Sequence, residues 1–376
     1  MKNSFYIIIA LVFLSLNCKR NITEQFEPEK KEIKLPPVEI ELDTLLTGLN
    51  QPWGIEFLPD RRILIAEKSG SILLVNGTSR TPLTGLPIVR ASGQGGLMDI
   101  KLHPNYKLNG WIYFSATVDA PTGFSTALFR AKLNNNNLES VQKIFQSNQH
   151  VTSGVHFGSR IVFDKLNKVY LCLGERNATT LSQSLLSHAG KVVRLNDDGT
   201  IPEDNPYFNT AGALKDIYTY GHRNPQGMVI HPTTQKIWLH EHGPMGGDEI
   251  NLLEPGANYG WPLATFGINY DGTIITNDTA YEATLQPIYY WKPSIAPCGM
   301  DFYFSDTIPQ WKGNLFIGAL AGRHLNMIEL NGEKVSKETR MLQNFGRFRC
   351  VKQGPDGYLY FSTESPGLLC RFKPKR

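Results

Sequence analysis

The sequence lacks the marks of several large protein classes. Charge of neither sign dominates: 38 Lys and Arg against 34 Asp and Glu leave a net charge of +4 over 376 residues. A dedicated nucleic-acid binder carries a clustered basic face, and so small a balance argues against that partner. Cysteine is scarce, with five in the chain. Cys18, Cys172, Cys298, Cys350 and Cys370 form no CxxC pair, which argues against a zinc site. An oxidising compartment permits disulfides, but Cys172 and Cys370 lie inside apolar strand patterns, where a buried free thiol is the simpler reading. Long hydrophobic runs are missing: the apolar stretch from Phe5 to Leu16 is too short to span a bilayer comfortably. There is no glycine fingerprint for a dinucleotide, no P-loop and no GxSxG nucleophile elbow.

Glycine and proline are plentiful, at 34 and 23, and aromatics make up 11%. Many short strands joined by Gly/Pro turns give such a balance. At the start of the chain, Lys2 followed by Phe5 to Leu16 reads as a signal-peptide core. It ends at Leu16-Asn17-Cys18, where a bacterial lipoprotein signal is cut and the new N-terminal cysteine acylated. Asn17 departs from the small residue usual before that cysteine, and a plainly cleaved secreted form is the alternative. The expected organisation is a signal peptide over 1–17, a charged, Pro-containing tether over 18–39 and one folded domain over 40–373. The protein is expected to be exported, as a periplasmic protein or an outer-membrane lipoprotein whose only membrane contact is through Cys18.

One pattern recurs along the chain: an apolar strand, a turn, a second apolar strand, then a third crossing back. It begins at Trp53 (WGIEFLPDRRILIAEKSGSILLV), Leu97, Gly158, Gly227, Gly299 and Cys350. Each copy reads as a β-meander with strands of about 4–6 residues. Repeats of this length, all strand and no helix, predict an all-β fold, a six-bladed β-propeller. The segment from Ile40, IELDTLLTGL, is expected to supply the outer strand that closes the ring. Long insertions over 174–220 and 246–290 are expected to collect on one face and build the site.

The strongest segments are YGHRNPQGMVIHP (from Tyr220), HEHGPMGGDEINLLEPGANYGWP (from His240), GQGGLMDIKLHP (from Gly93) and HFGSRIVF (from His156). Together they resemble the soluble quinoprotein glucose and aldose sugar dehydrogenases, the glucose/sorbosone dehydrogenase family, over residues 40 to 373. The resemblance implies oxidation of an aldose at its C1 hydroxyl, giving a lactone, with calcium-bound pyrroloquinoline quinone and an electron acceptor still to be identified. That cofactor is a flat tricarboxylate, so its site needs cations, a Lewis acid and a base.

Taken by type, His156 in a glycine-flanked turn is either a solvated loop residue or a base, and its ordinary pKa of about 6.5 suits the second role. By resemblance it takes the sugar's O1 proton. Gly243-Pro244 is either an ordinary turn or a pair of carbonyls for calcium, a cation that favours hard oxygen ligands; the resemblance implies the latter. Arg223 and Asn224 correspond to residues over the quinone oxygens, Arg223 stabilising developing negative charge. Gln94 corresponds to a pocket-lining residue and Ser294 to a hydroxyl that bonds the cofactor. Arg347 and Arg349 stand on one face of a strand, where they are poor core residues unless they meet anions. By resemblance they hold the cofactor's carboxylates. Glu249 and the main-chain oxygen of Tyr259 correspond to a second, structural calcium site, with a loop cap as the plainer reading of Glu249. The chain departs from the family's pattern at Ala321, where a lysine is common, at Glu175 in place of aspartate, and at Cys350. A calcium-dependent propeller lactonase and a non-catalytic propeller binding glycans or proteins are the competing functions.

Overall fold

The computed structural model describes residues 38–375. The expected signal peptide, Cys18 and nearly all of the tether therefore lie outside the described residues. Within them, the sequence repeats fold into six four-stranded antiparallel sheets. Blade one comprises Pro52–Phe57, Ile63–Glu67, Ser71–Asn76 and Ser79–Pro82. Blade two comprises Leu97–Leu102, Trp111–Ala120, Gly123–Asn134 and Asn137–Gln146. Blade three runs through Ile161–Phe163, Val169–Leu173, Lys191–Leu195 and Ile217–Tyr220. Blade four runs through Pro225–Ile230, Ile237–Glu241, Asp248–Leu253 and Tyr289–Trp291. Blade five has Pro297–Phe302, Leu315–Ala319, Leu325–Asn331 and Lys334–Met341. Blade six has Phe348–Gln353, Leu359–Glu364 and Gly367–Pro374, and takes its outer strand, Ile40–Thr47, from the other end of the chain. The register runs from Ile40 opposite Pro374 to Thr47 opposite Leu368, so the two ends of the chain close the ring.

The strand sequences explain the packing. Val169–Leu173 reads VYLCL and is buried at every position. Successive side chains point to opposite faces. Val169, Leu171 and Leu173 pack with Tyr113 and Leu128 of blade two, while Tyr170 and Cys172 pack with Met228 and Leu239 of blade four. A strand covered on both faces shows a continuous apolar run rather than alternation. Similar clusters fill the other blade interfaces, such as Ile55 and Ile65 against Cys350 and Tyr360 where blade six meets blade one. Cys172, Cys298, Cys350 and Cys370 are all buried free thiols.

Three details differ from the sequence expectation. The second, third and fourth strands of blade two are 10 to 12 residues long, and the register between Trp111–Ala120 and its partner strand is unbroken. One helical turn, Tyr106–Asn109, interrupts the all-strand pattern and is closed by Gly110 in the left-handed conformation. The insertions also do not all reach one face. Strand alternation places residues 174–190 at the end of blade three that carries His156, but residues 196–216 at the opposite end. The segment 254–288 starts at that opposite end and climbs the outer edge. Asn258 runs parallel to Tyr220, and Ile268 then pairs with Met245 beside Gly243-Pro244.

Candidate active site

The blade-to-blade crossovers and the hairpins joining second to third strands share one face of the ring, and these loops carry the expected site residues. Residues 147–160 deliver His156, whose backbone is left-handed at φ 55°. Arg176 shapes that loop: its guanidinium donates to the carbonyls of Val155 at 3.0 Å, Phe124 at 3.2 Å and Ser153, and lies over the Phe157 ring at 3.8 Å. Gln94 accepts the His156 backbone N–H at 2.9 Å. Gly174 is required where the loops meet, since a Cβ there would lie 2.1 Å from the His156 carbonyl oxygen.

The His156 ring faces Glu175, with Nδ1 2.5 Å from Oε1. Glu175 is buried, and its own N–H donates to the Arg223 carbonyl at 2.9 Å. A proton on Nδ1 shared with Glu175 leaves Nε2 as the basic nitrogen. Burial lowers the His156 pKa, and the hydrogen bond to Glu175 opposes that fall.

Arg223 arrives from the short crossover into blade four. Its N–H donates to Glu241 Oε2 at 2.6 Å, and its Nη1 donates to the carbonyls of Gly243 at 2.7 Å and His242 at 3.2 Å. The Gly243-Pro244 turn is tight, for a Cβ on Gly243 would meet the carbonyls of Gly246 and Gly247 at 2.3 Å. Asp248 fixes it by accepting from Gly243 N–H at 2.9 Å, and accepts from Ser294 Oγ and Ile295 N–H, both at 2.7 Å. Ser294 thus spends its proton on Asp248. Asn224 is buried, its side-chain oxygen accepting from Gly158 N–H at 3.3 Å and Gln226 Nε2 at 3.2 Å. His242, beside Arg223, is pushed down to about 3 by burial and donates through Nε2 to Pro297 O at 2.8 Å.

Arg347 and Arg349 meet an anion from their own chain. Both Nε atoms donate to Glu364, at 3.2 and 3.1 Å. Arg349 also donates to Gln226 Oε1 at 3.1 Å and its side chain is 11% exposed, whereas Arg347 is 43% exposed. Lys68, whose charged form Glu364 favours, donates to Gly93 O at 2.9 Å. Beneath the face, Arg160 donates to Arg349 O at 2.7 Å and lies 4.0 Å over the Trp53 ring.

Glu249 and Tyr259 line one small pocket with Arg223 and Glu241. Burial, and then the neighbouring Glu241, push the Glu249 carboxyl well above the usual carboxylate range. A close acidic pair in such a place is relieved by a cation.

Sequence reasoning missed Glu364 and Lys68, and noted Glu175 only as a departure. No local motif marks Glu364: its role arises from a hairpin that returns it to Arg349 and Arg347, fifteen and seventeen residues earlier.

Residues 49–371 match the profile of the Glucose / Sorbosone dehydrogenase family. The chain belongs to that family. It is 41% identical to the aldose sugar dehydrogenase YliI of Escherichia coli, over 90% of this chain and 94% of that one. The crystal structure of the soluble aldose sugar dehydrogenase of Escherichia coli in the apo-form superimposes with a TM-score of 0.87 at 40% identity, covering 90% of this chain and all, 100%, of the other. The PQQ-bound aldose sugar dehydrogenase of Streptomyces coelicolor gives a TM-score of 0.73 at 26% identity, covering 91% and 100%.

Proposed function

We propose that this family member oxidises the C1 hydroxyl of aldoses to lactones, using pyrroloquinoline quinone and Ca2+. The observation that carries the reading is the convergence of the His156–Glu175 pair, Arg223 and the Gly243-Pro244 carbonyls on one face. The donor set fits both groups. Hard carbonyl oxygens suit Ca2+, and Arg347, Arg349 and Lys68 suit a polycarboxylate. When bound, the quinone supplies the oxidant and Ca2+ the Lewis acid.

The chain's own residues do the rest. Nε2 of His156 takes the proton of the O1 hydroxyl while Glu175 steadies the ring. Arg223 offers its cation to the negative charge that develops, Gln94 holds the His156 loop, and Arg347 and Arg349 hold carboxylates. Arg223 must share or release the Gly243 carbonyl when a cation takes it. Glu249 and the Tyr259 carbonyl would hold a second, structural Ca2+, whose charge would relieve the Glu241–Glu249 pair. The lactonase alternative requires free carboxylates on the ring axis, but Glu56 is engaged by Lys352 and Asp99 by Arg160, and Asp301 accepts from the backbone N–H groups of Phe302 and Gln353.

The test is reconstitution. Purified protein given pyrroloquinoline quinone and Ca2+ should reduce an artificial dye with aldoses, and chelation of Ca2+ should abolish this reversibly. Absence of aldose-dependent turnover with both present would leave the non-catalytic propeller in its place. We further propose export with acylation of Cys18, so Cys18→Ser should move the protein from the membrane to the soluble fraction. A wild type already fully soluble refutes the anchor.

A further inference from the structure

Glu364 ends a strand of blade six and sits where an anionic ligand would have to bind. Its Oε2 accepts from Arg347 Nε at 3.2 Å, its Oε1 from Arg349 Nε at 3.1 Å, and Arg349 Nη2 closes on the same oxygen. Lys68 is a third cation near it. Burial alone would raise the Glu364 pKa, but Arg349 and then Arg347 hold it below the usual carboxylate range, so the group is charged.

Neither arginine depends on this carboxylate alone for its place. Arg349 Nη1 also donates to Gln226 Oε1 at 3.1 Å, and Arg347 Nη1 to Leu320 O at 3.2 Å. What Glu364 contributes uniquely is negative charge. It takes up Nε and Nη2 of Arg349 and Nε of Arg347, donors that an incoming carboxylate would seek.

We propose that Glu364 is a built-in counter-ion that competes with an incoming ligand's carboxylates for Arg347 and Arg349, and so sets how tightly the site holds a polyanion. This rests on the tricarboxylate-cofactor reading above. The glutamate neutralises the cluster when the site is empty, at the cost of affinity when it is filled. At an effective dielectric of about 20, removing a like charge roughly 6–8 Å away tightens binding by about tenfold to a hundredfold.

The experiment compares wild type with Glu364→Gln, which keeps the shape and an acceptor oxygen but removes the charge. Binding of pyrroloquinoline quinone with Ca2+ is measured by calorimetry. Binding of benzene-1,3,5-tricarboxylate without Ca2+ is measured alongside, as a redox-inert probe. The expected result is binding of both probes at least about tenfold tighter in the variant, with a steeper loss of affinity as salt rises. Glu364→Ala carries the same expectation and serves if the glutamine variant does not fold. Equal or weaker binding of the tricarboxylate by the folded variant overturns the proposal and makes Glu364 a positioning residue. If neither protein binds pyrroloquinoline quinone but the variant binds the tricarboxylate more tightly, the cofactor reading fails and the counter-ion role stands.

Discussion

Two influences of opposite effect set the basicity of His156. Burial favours the neutral ring and so keeps a base available at lower pH, whereas Glu175 favours the protonated ring. The proposed general base must be neutral, so activity should fall as pH drops through the His156 pKa, which lies below 6.5. Glu175→Gln removes the contribution that raises that pKa, and the acid limb of kcat/KM should move to lower pH. A Glu175 that merely supported the fold would lose activity without moving the limb. His156→Ala should leave cofactor binding nearly intact while kcat drops ~10²–10⁴-fold, the range for lost general-base catalysis; titration of the cofactor alongside turnover separates the two. The residue types at these positions were legible because the base, the arginines and the Gly-Pro turn sit in short local motifs. Their partners were not. Glu175 and Glu364 acquire their roles only when distant loops meet, and a carboxylate in sequence does not declare which cation it will face.

At the scale of elements, the strand Ile40–Thr47 closes the ring from the other end of the chain. It pairs along its whole length with Gly367–Pro374, and Arg371 reinforces the pair by donating to Asp43 at 2.9 Å. A chain beginning at Gly48 would leave the outer edge of blade six unpaired, and such edges template aggregation. We expect it to unfold at a lower temperature than the full domain and to aggregate, as thermal melting with light scattering would show. A truncated chain with an unchanged melting temperature would contradict the closing role. The strand was legible because its apolar positions match the blade pattern. The path of the insertions was less so, since polarity and length cannot tell which end of a blade a loop leaves. The 174–190 loop, which carries Glu175, is pinned by the buried Lys191 ammonium, donating to the carbonyls of Leu181, Ser182 and Ala189 at 3.1, 2.8 and 2.5 Å. Read within the strand KVVRL, Lys191 gives no sign of that role.

Across the whole molecule, the inner strands meet around an axial channel whose charges link blades distant in sequence. Lys352 of blade six donates to Glu56 of blade one at 2.6 Å, with Lys101 of blade two 3.9 Å from the same carboxylate. Burial opposes ionisation of Glu56, but the two lysines and its hydrogen bonds lower its pKa from 4.5. A carboxylate whose folded pKa is depressed contributes stability that is present above its unfolded pKa and lost as pH falls through the folded value. The melting temperature should therefore decline below about pH 4.5. Glu56→Gln should lower the melting temperature at neutral pH, corresponding to a loss of stability on the order of 3–5 kcal/mol for a buried cation left unpaired, and should flatten part of the acid decline. An unchanged profile would show that the channel network does not couple the blades.

The central claim concerns the chemistry on the opposite face of that ring, and one anaerobic experiment addresses it directly. Protein loaded with pyrroloquinoline quinone and Ca2+ is mixed with a panel of aldoses in the absence of any acceptor, and the absorbance of the oxidised quinone is followed. The account predicts that at least one aldose bleaches the band in a single turnover, with lactone formed in proportion to bound cofactor, and that His156→Ala slows the bleaching without releasing the cofactor. A loaded protein whose band survives every aldose would contradict it.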